Sequence, residues 1–238
     1  MRWVGVAAAT ALLASCGSGQ QRSASQWQVD THAGAPSRAK EPSAVVRGKI
    51  GPGTFVTTKS NPTITFTLDG SWITISETPD TLFLADGTAA TGSVQLEFVK
   101  RSAITVAVDP TRTTGLVNVS PSAQRAMRGT PIDEIRSIPD LEVEKGPMMD
   151  VAGKPRQTYL VRSTLPGSTK EACGVDRCRQ LPTAAATEFY ALGPQEESTV
   201  IDLPDEDLWI FLGDVTTDST GARRKVAPIL ASLRIDQS

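Results

Sequence analysis

The chain is poor in the residues that most enzymes lean on. Its 238 residues contain one histidine, His32. A Ser-His-Asp or Cys-His site needs an imidazole beside its nucleophile. His32 lies in an N-terminal stretch without folding periodicity, so the body of the chain has no such site. No G-x-S-x-G is present, no G-x-G-x-x-G follows a strand, and no phosphate loop occurs, so no cofactor is expected. Long apolar runs are missing too. The longest, Trp3 to Ser15, is well short of the roughly 20 residues that cross a bilayer as a helix. Positive charge is not concentrated: the formal net charge is -2, and the one basic cluster is Arg223-Arg224-Lys225. Without a basic face there is no counterion-release term, so nucleic acid is not expected as a partner. Overall charge gives no general adhesion to anionic lipid either.

What is present begins at the N-terminus. Met1-Arg2 is followed by "WVGVAAATALLAS", one basic residue and then a short apolar run, which is the layout of a secretory signal. The apolar run ends at Cys16, and a Gly- and Ser-rich run starts there. Leu13-Ala14-Ser15-Cys16 resembles the lipobox of bacterial lipoproteins, with Leu13 in the aliphatic slot and Ala14 and Ser15 in the small slots. The resemblance implies that residues 1–15 are a signal peptide, cut before Cys16, and that the Cys16 thiol carries a diacylglycerol. Each buried methylene contributes about 0.8 kcal/mol, so one acyl chain holds weakly and two hold stably. The expected location is therefore the extracytoplasmic face of the cell membrane, reached through the lipid on Cys16.

Three cysteines occur in all. With Cys16 lipidated, Cys173 and Cys178 remain as an even pair in "CGVDRC", and an even count in an exported chain points to a disulfide. The short loop would contribute on the order of 2 kcal/mol. A zinc site lacks further ligands, since His32 is remote. A redox motif wants two intervening residues, not four.

Residues 16–53 are rich in Ser, Gly, Ala, Gln and Pro and read as a disordered tether. Its root-mean-square reach would be roughly 30–35 Å. Trp27 and Val45-Val46 are its apolar interruptions. From Thr54 the pattern becomes that of strands: "TITFTL", "WITIS", "TLFLAD", "VQLEFVK", "ITVAV", "LEVEK", "QTYLVRSTL", "STVIDL" and "LWIFLGDV". Asp69-Gly70 and Pro204 to Asp207 are turn signals. "TPIDEIRSIPDL" carries an N-cap Thr130, Pro131 at the first helical position and first-turn acids Asp133 and Glu134, which predicts a short helix ending at Pro139. In "STGARRKVAPILASLRI", Val226, Ile229, Leu230 and Leu233 share one helical face. Residues 54–238 are thus expected to form one α+β domain, an antiparallel sheet with a short mid-chain helix and a C-terminal amphipathic helix packed on it.

The Trp-led strand after "TFTLDGSW", the mid-chain helix, "VAGKPRQTYLV", the paired-cysteine loop and the terminal "APILASLRI" resemble small exported domains of actinobacteria, often lipoproteins. Their layout is similar to the PsbP-like α/β sandwich. The shared motifs are packing and turn residues, so the resemblance brings no catalytic set.

The remaining chemistry is carboxylate chemistry. Asp202, Asp205, Glu206 and Asp207 cluster on one turn. A glycosidase needs two carboxylates at a defined separation, and oxygen ligands could hold calcium. The spacing matches no calcium loop, and such clusters are usually solvated turns. Trp72 and Trp209 both start strands; exposed, they could stack on sugar rings, although large aromatics more often anchor sheets. The function these features favour is a lipid-anchored binding or scaffolding module of the bacterial cell envelope, with an envelope protein or glycan as partner and no metal. A carboxylate-based envelope hydrolase is the alternative.

Overall fold

β-branched and aromatic residues alternate with polar ones over most of the folded region, and the outcome is β-rich. The computed structural model describes residues 41–87, 94–111, 124–167, 178–184, 191–214 and 219–237. Among them the chain runs through β1 (Ser43–Ala44), β2 (Gly48–Ile50), β3 (Gly53–Val56), β4 (Thr63–Leu68), β5 (Trp72–Glu77), β6 (Thr81–Ala85), β7 (Val94–Lys100) and β8 (Ile104–Ala107). Next come β9 (Gln124–Ala126), α1 (Pro131–Arg136), and a long hairpin of β10 (Leu141–Val151) and β11 (Lys154–Ser163). Short strands β12 (Arg179–Gln180), β13 (Thr183–Ala184) and β14 (Ala191–Leu192) precede β15 (Glu197–Leu203) and β16 (Leu208–Asp214). The chain closes with α2 (Ser219–Ala231) and β17 (Arg234–Asp236).

The centre is an eight-stranded antiparallel sheet in the order β10-β11-β15-β16-β7-β6-β5-β2. A four-stranded sheet, β1-β3-β4-β17, a three-stranded sheet, β13-β8-β9, and the β12-β14 pair complete the topology. β16 shows how the central sheet is held. Leu208, Ile210 and Leu212 join one apolar cluster, while Trp209 and Phe211 join another. Side chains alternate across a strand, so both faces of this sheet are covered. The first cluster takes in Phe55, Ile64 and Phe66 of the small sheet and Val226, Ile229 and Leu230 of α2. The second takes in Ile132 and Ile135 of α1 with Ile104 and Leu181.

Several sequence expectations need correction. Strand structure is already present at Ser43–Ala44, inside the segment read as tether. Val45 and Ile50 are buried core residues, and only Val46 of the Val45-Val46 pair is exposed. Two or three apolar residues are too few to give a period, which is why this stretch resembled a linker. Asp69-Gly70 does turn the chain, but β4 and β5 lie in different sheets, so it carries the chain between layers rather than closing a hairpin. The terminal helix stops at Ala231, and "RID" turns back as β17 against β4. Leu233 is buried beyond the helix end. Pro228 lies well inside α2 on its exposed side, where water can satisfy the carbonyl its missing N–H leaves.

α1 and the β15–β16 turn follow the sequence closely. Thr130 caps α1, its hydroxyl accepting from Asp133 N at 3.2 Å. Pro204–Glu206 form a single 3₁₀ turn, and Asp207 follows with φ 49°, a left-handed conformation that Asp tolerates better than most residues.

Candidate functional site

The residues expected to carry function fall in different places. Cys16 and Cys173 lie outside the described residues. Cys178 is fully buried. Trp72 and Trp209 are each 1 % exposed. They belong to the two different clusters on opposite faces of the central sheet. Neither offers a ring face to a sugar, so Trp72 is corrected from a binding candidate to a core anchor; an indole at a strand start fills the space between layers.

The acidic turn is built into the scaffold. Arg101 Nε donates to Asp202 Oδ1 at 2.8 Å. Arg156 is ion-paired with Glu206. Asp207 accepts from the Ser102 backbone N–H at 2.8 Å and from its hydroxyl at 2.7 Å. Asp205 is exposed, and its carbonyl accepts from Gln237 Nε2 at 2.7 Å. Burial outweighs the Arg101 partner and pushes the Asp202 carboxyl above its usual range. A raised carboxyl suits a general acid, but Asp202 is turned to Arg101. Three cavities walled by described residues, at β8–α1, beside β5 and around Asn61-Pro62, have none of these four acids in their walls.

A cleft among the described residues lies elsewhere, between β8, α1 and the segment Cys178–Ala184, with a volume of about 460 Å³. Its apolar wall is Val106, Val108, Pro110, Ile138, Pro139 and Pro182. Arg125, from β9, and Glu134, from α1, meet at its side. Arg125 Nη1 and Nη2 donate to Glu134 Oε1 and Oε2 at 3.0 and 2.7 Å, a bidentate pair. The Arg128 backbone N–H donates to Glu134 Oε1 at 2.5 Å. The Arg125 hydrogen bonds hold the Glu134 carboxyl below its usual range despite its burial. Asp109, also in the wall, accepts from Thr111 N at 3.0 Å and from its hydroxyl at 2.6 Å. The charges around the cleft are therefore compensated locally.

Gln180 contributes the one carboxamide to this wall. It is 4 % exposed, its backbone N–H donates to Pro110 O at 3.1 Å, and its side chain makes no hydrogen bond among the described residues. The residue is mostly buried, but its amide atoms reach the cleft, where their donor and acceptor capacity is open to water or to a ligand. The cleft has the volume of a small-ligand or peptide site, with a wall of mixed polar and apolar residues.

Sequence reasoning missed Arg125 and Gln180, and it read Glu134 only as a first-turn acid. Local pattern holds no trace of a pair formed between a three-residue strand and a helix. Among the described residues, no three His, Cys, Asp or Glu side chains converge as a metal site would require. No described helix is long and apolar enough to cross a membrane. No protein-family model, curated protein or solved structure matches the chain.

Proposed function

We propose that this chain is a lipid-anchored, extracytoplasmic binding module of the bacterial cell envelope that takes its ligand in the β8–α1 cleft. The observation that carries the binding reading is Gln180, whose carboxamide faces an otherwise charge-compensated cleft with its hydrogen-bonding capacity unused by the described residues. The anchor rests on "LASC" at the polarity break. The fold is read as α+β, supported by α2 packing its Val226, Ile229 and Leu230 face into the main core, and as similar to the PsbP-like sandwich.

Two measurements test this reading. In cells, Cys16→Ala should move the protein out of the membrane fraction or block its processing; full retention in membranes refutes the anchor. For the cleft, a photo-crosslinking residue at Val108, which is 60 % exposed on the rim, should capture an envelope protein or glycan. Gln180→Leu should abolish that capture without changing the amount of folded protein. Capture that persists unchanged in Gln180→Leu removes the cleft from the function.

A further inference from the structure

A second groove, of about 520 Å³, lies against β5 and the turn after β3. Its wall includes Val46, Arg47, Lys59, Thr74, Ser76 and Glu77. Unlike the β8–α1 cleft, it carries cations without partners. Arg47 and Lys59 are exposed, and neither side chain makes an ion pair or hydrogen bond among the described residues. The carboxylate within the groove is already engaged. Glu77 Oε1 accepts from the backbone N–H groups of Thr58 and Lys59 at 2.6 and 2.8 Å, and the Thr58 hydroxyl donates to Oε2 at 3.4 Å. Glu77 thus closes the turn that displays Lys59 instead of neutralising the lysine head group. The wall also contains the buried Thr74, whose hydroxyl has no partner. Val46 stands beside Arg47 and is 58 % exposed, one of the few large apolar side chains left open to solvent.

Two unpaired cations at one groove, with hydroxyl groups along the wall and an open apolar residue at the rim, are complementary to a phosphate ester. Arginine presents a planar fork that matches phosphate oxygens, and lysine adds a point charge. We propose that this groove binds a phosphate-ester group, with Arg47 and Lys59 as its ligands. The whole chain is slightly acidic, so the attraction is local and vanishes when these two residues are changed. Two sources carry this chemistry: the headgroup of an anionic phospholipid and a soluble phosphate ester. The headgroup is the nearer source if the anchor reading holds, because the chain leading from Cys16 joins the folded unit just before Val46.

The test uses the chain from residue 17 onward, which keeps every described residue and carries neither signal nor lipid. One arm measures co-flotation with phosphatidylglycerol-containing vesicles against pure phosphatidylcholine vesicles. The other titrates sn-glycerol 3-phosphate. Arg47→Gln and Lys59→Gln should each weaken binding about fivefold, the usual effect of one cation at an anionic surface. Arg224→Gln, an exposed arginine on α2, should leave binding unchanged, and all three variants should keep the parent melting temperature. Binding to vesicles alone assigns the lipid headgroup; binding to the soluble ester, with the same dependence on Arg47 and Lys59, assigns a soluble ligand. Absence of binding in both arms overturns the proposal, as does an equal loss with Arg224→Gln. Because the protein from residue 17 onward carries no Cys16, failure here leaves the Cys16 result untouched, and the reverse also holds.

Discussion

Arg179 is paired with Asp140 across the gap between β12 and the turn that follows α1. Its guanidinium also donates through Nε to the Pro139 carbonyl at 3.1 Å and through Nη1 to the Cys178 carbonyl at 3.1 Å. Pro139 and Gln180 both line the β8–α1 cleft. One buried arginine therefore ties the two walls of the cleft together.

Arg179→Ala should loosen that tie. The change leaves two carbonyls and a carboxylate short of donors, and breaking such a network costs about 2–4 kcal/mol. For a domain of this size the melting temperature should fall by roughly 5–10 °C. Arg179→Lys should recover only part of the loss, since an ammonium lacks the planar fork. A thermal melt of the three proteins decides this; an unchanged midpoint for Arg179→Ala means the cleft walls are held by other contacts.

Glu134 and Asp202 should respond oppositely to pH. Hydrogen bonds from Arg125 lower the folded-state value of Glu134. Its contribution is thus complete above the ordinary glutamate range and is lost as pH falls through the lowered value. Burial raises Asp202. Its ionised form is disfavoured in the folded state, so it reduces stability as pH rises through the raised value. At pH 7, Glu134→Gln should cost about 1–3 kcal/mol, and Asp202→Asn less than about 1 kcal/mol. Between pH 5 and pH 3, stability should decline less steeply for Glu134→Gln than for the parent, as read from urea unfolding at each pH.

Leu230 is buried against the main cluster on α2, and Leu233 is buried just past its end. Leu230→Ala should cost about 2–5 kcal/mol through lost contacts and a residual cavity. Leu233→Ala should cost less, because the chain beyond the helix end can relax into the space. Denaturant midpoints at constant slope would show the order; a reversed order means that β17 and not α2 holds this corner.

Much of the framework was legible because its causes are local. β4, β6, β7, β15 and β16 each repeat apolar and β-branched residues over five or more positions, and α1 announces itself by Thr130, Pro131 and Asp133. What could not be read depends on distant partners. β1 and β2 are two and three residues long, and they are ordered only because Val45 and Ile50 find a core built by residues from elsewhere in the chain. β9 has no apolar period; it exists through pairing with β8. Both grooves are products of such pairings, so Arg125, Gln180, Arg47 and Lys59 carry no mark in the sequence. The four clustered acids did carry one, yet the fold engages three of them with Arg101, Arg156 and Ser102 and leaves the Asp205 side chain exposed.

Cys178 is buried next to the strand that supplies Gln180. We expect it to be paired with Cys173 in the exported protein. Under non-reducing conditions, intact mass with an alkylating agent should show no free thiol at these two positions. Cys178→Ser should lower stability by about 2 kcal/mol or more, since it removes the loop constraint and buries a hydroxyl. Two alkylated cysteines in the native protein would exclude the bond.

The acidic turn provides the sharpest contrast between a scaffold and a hydrolase. Asp207 holds the Ser102 backbone N–H and hydroxyl, and Asp205 is exposed. If their role is structural, Asp207→Asn should cost about 1–2 kcal/mol, because a neutral amide oxygen is a weaker acceptor than a carboxylate. Asn still suits the left-handed backbone, so the fold survives. Asp205→Asn should then change neither stability nor ligand binding. The double variant, assayed against envelope glycans and peptides, should match the parent in product formed and differ only in its melting temperature. Turnover by the parent that disappears in the double variant, at a temperature where both are folded, would instead make Pro204–Asp207 an active site and replace the binding module with a carboxylate hydrolase.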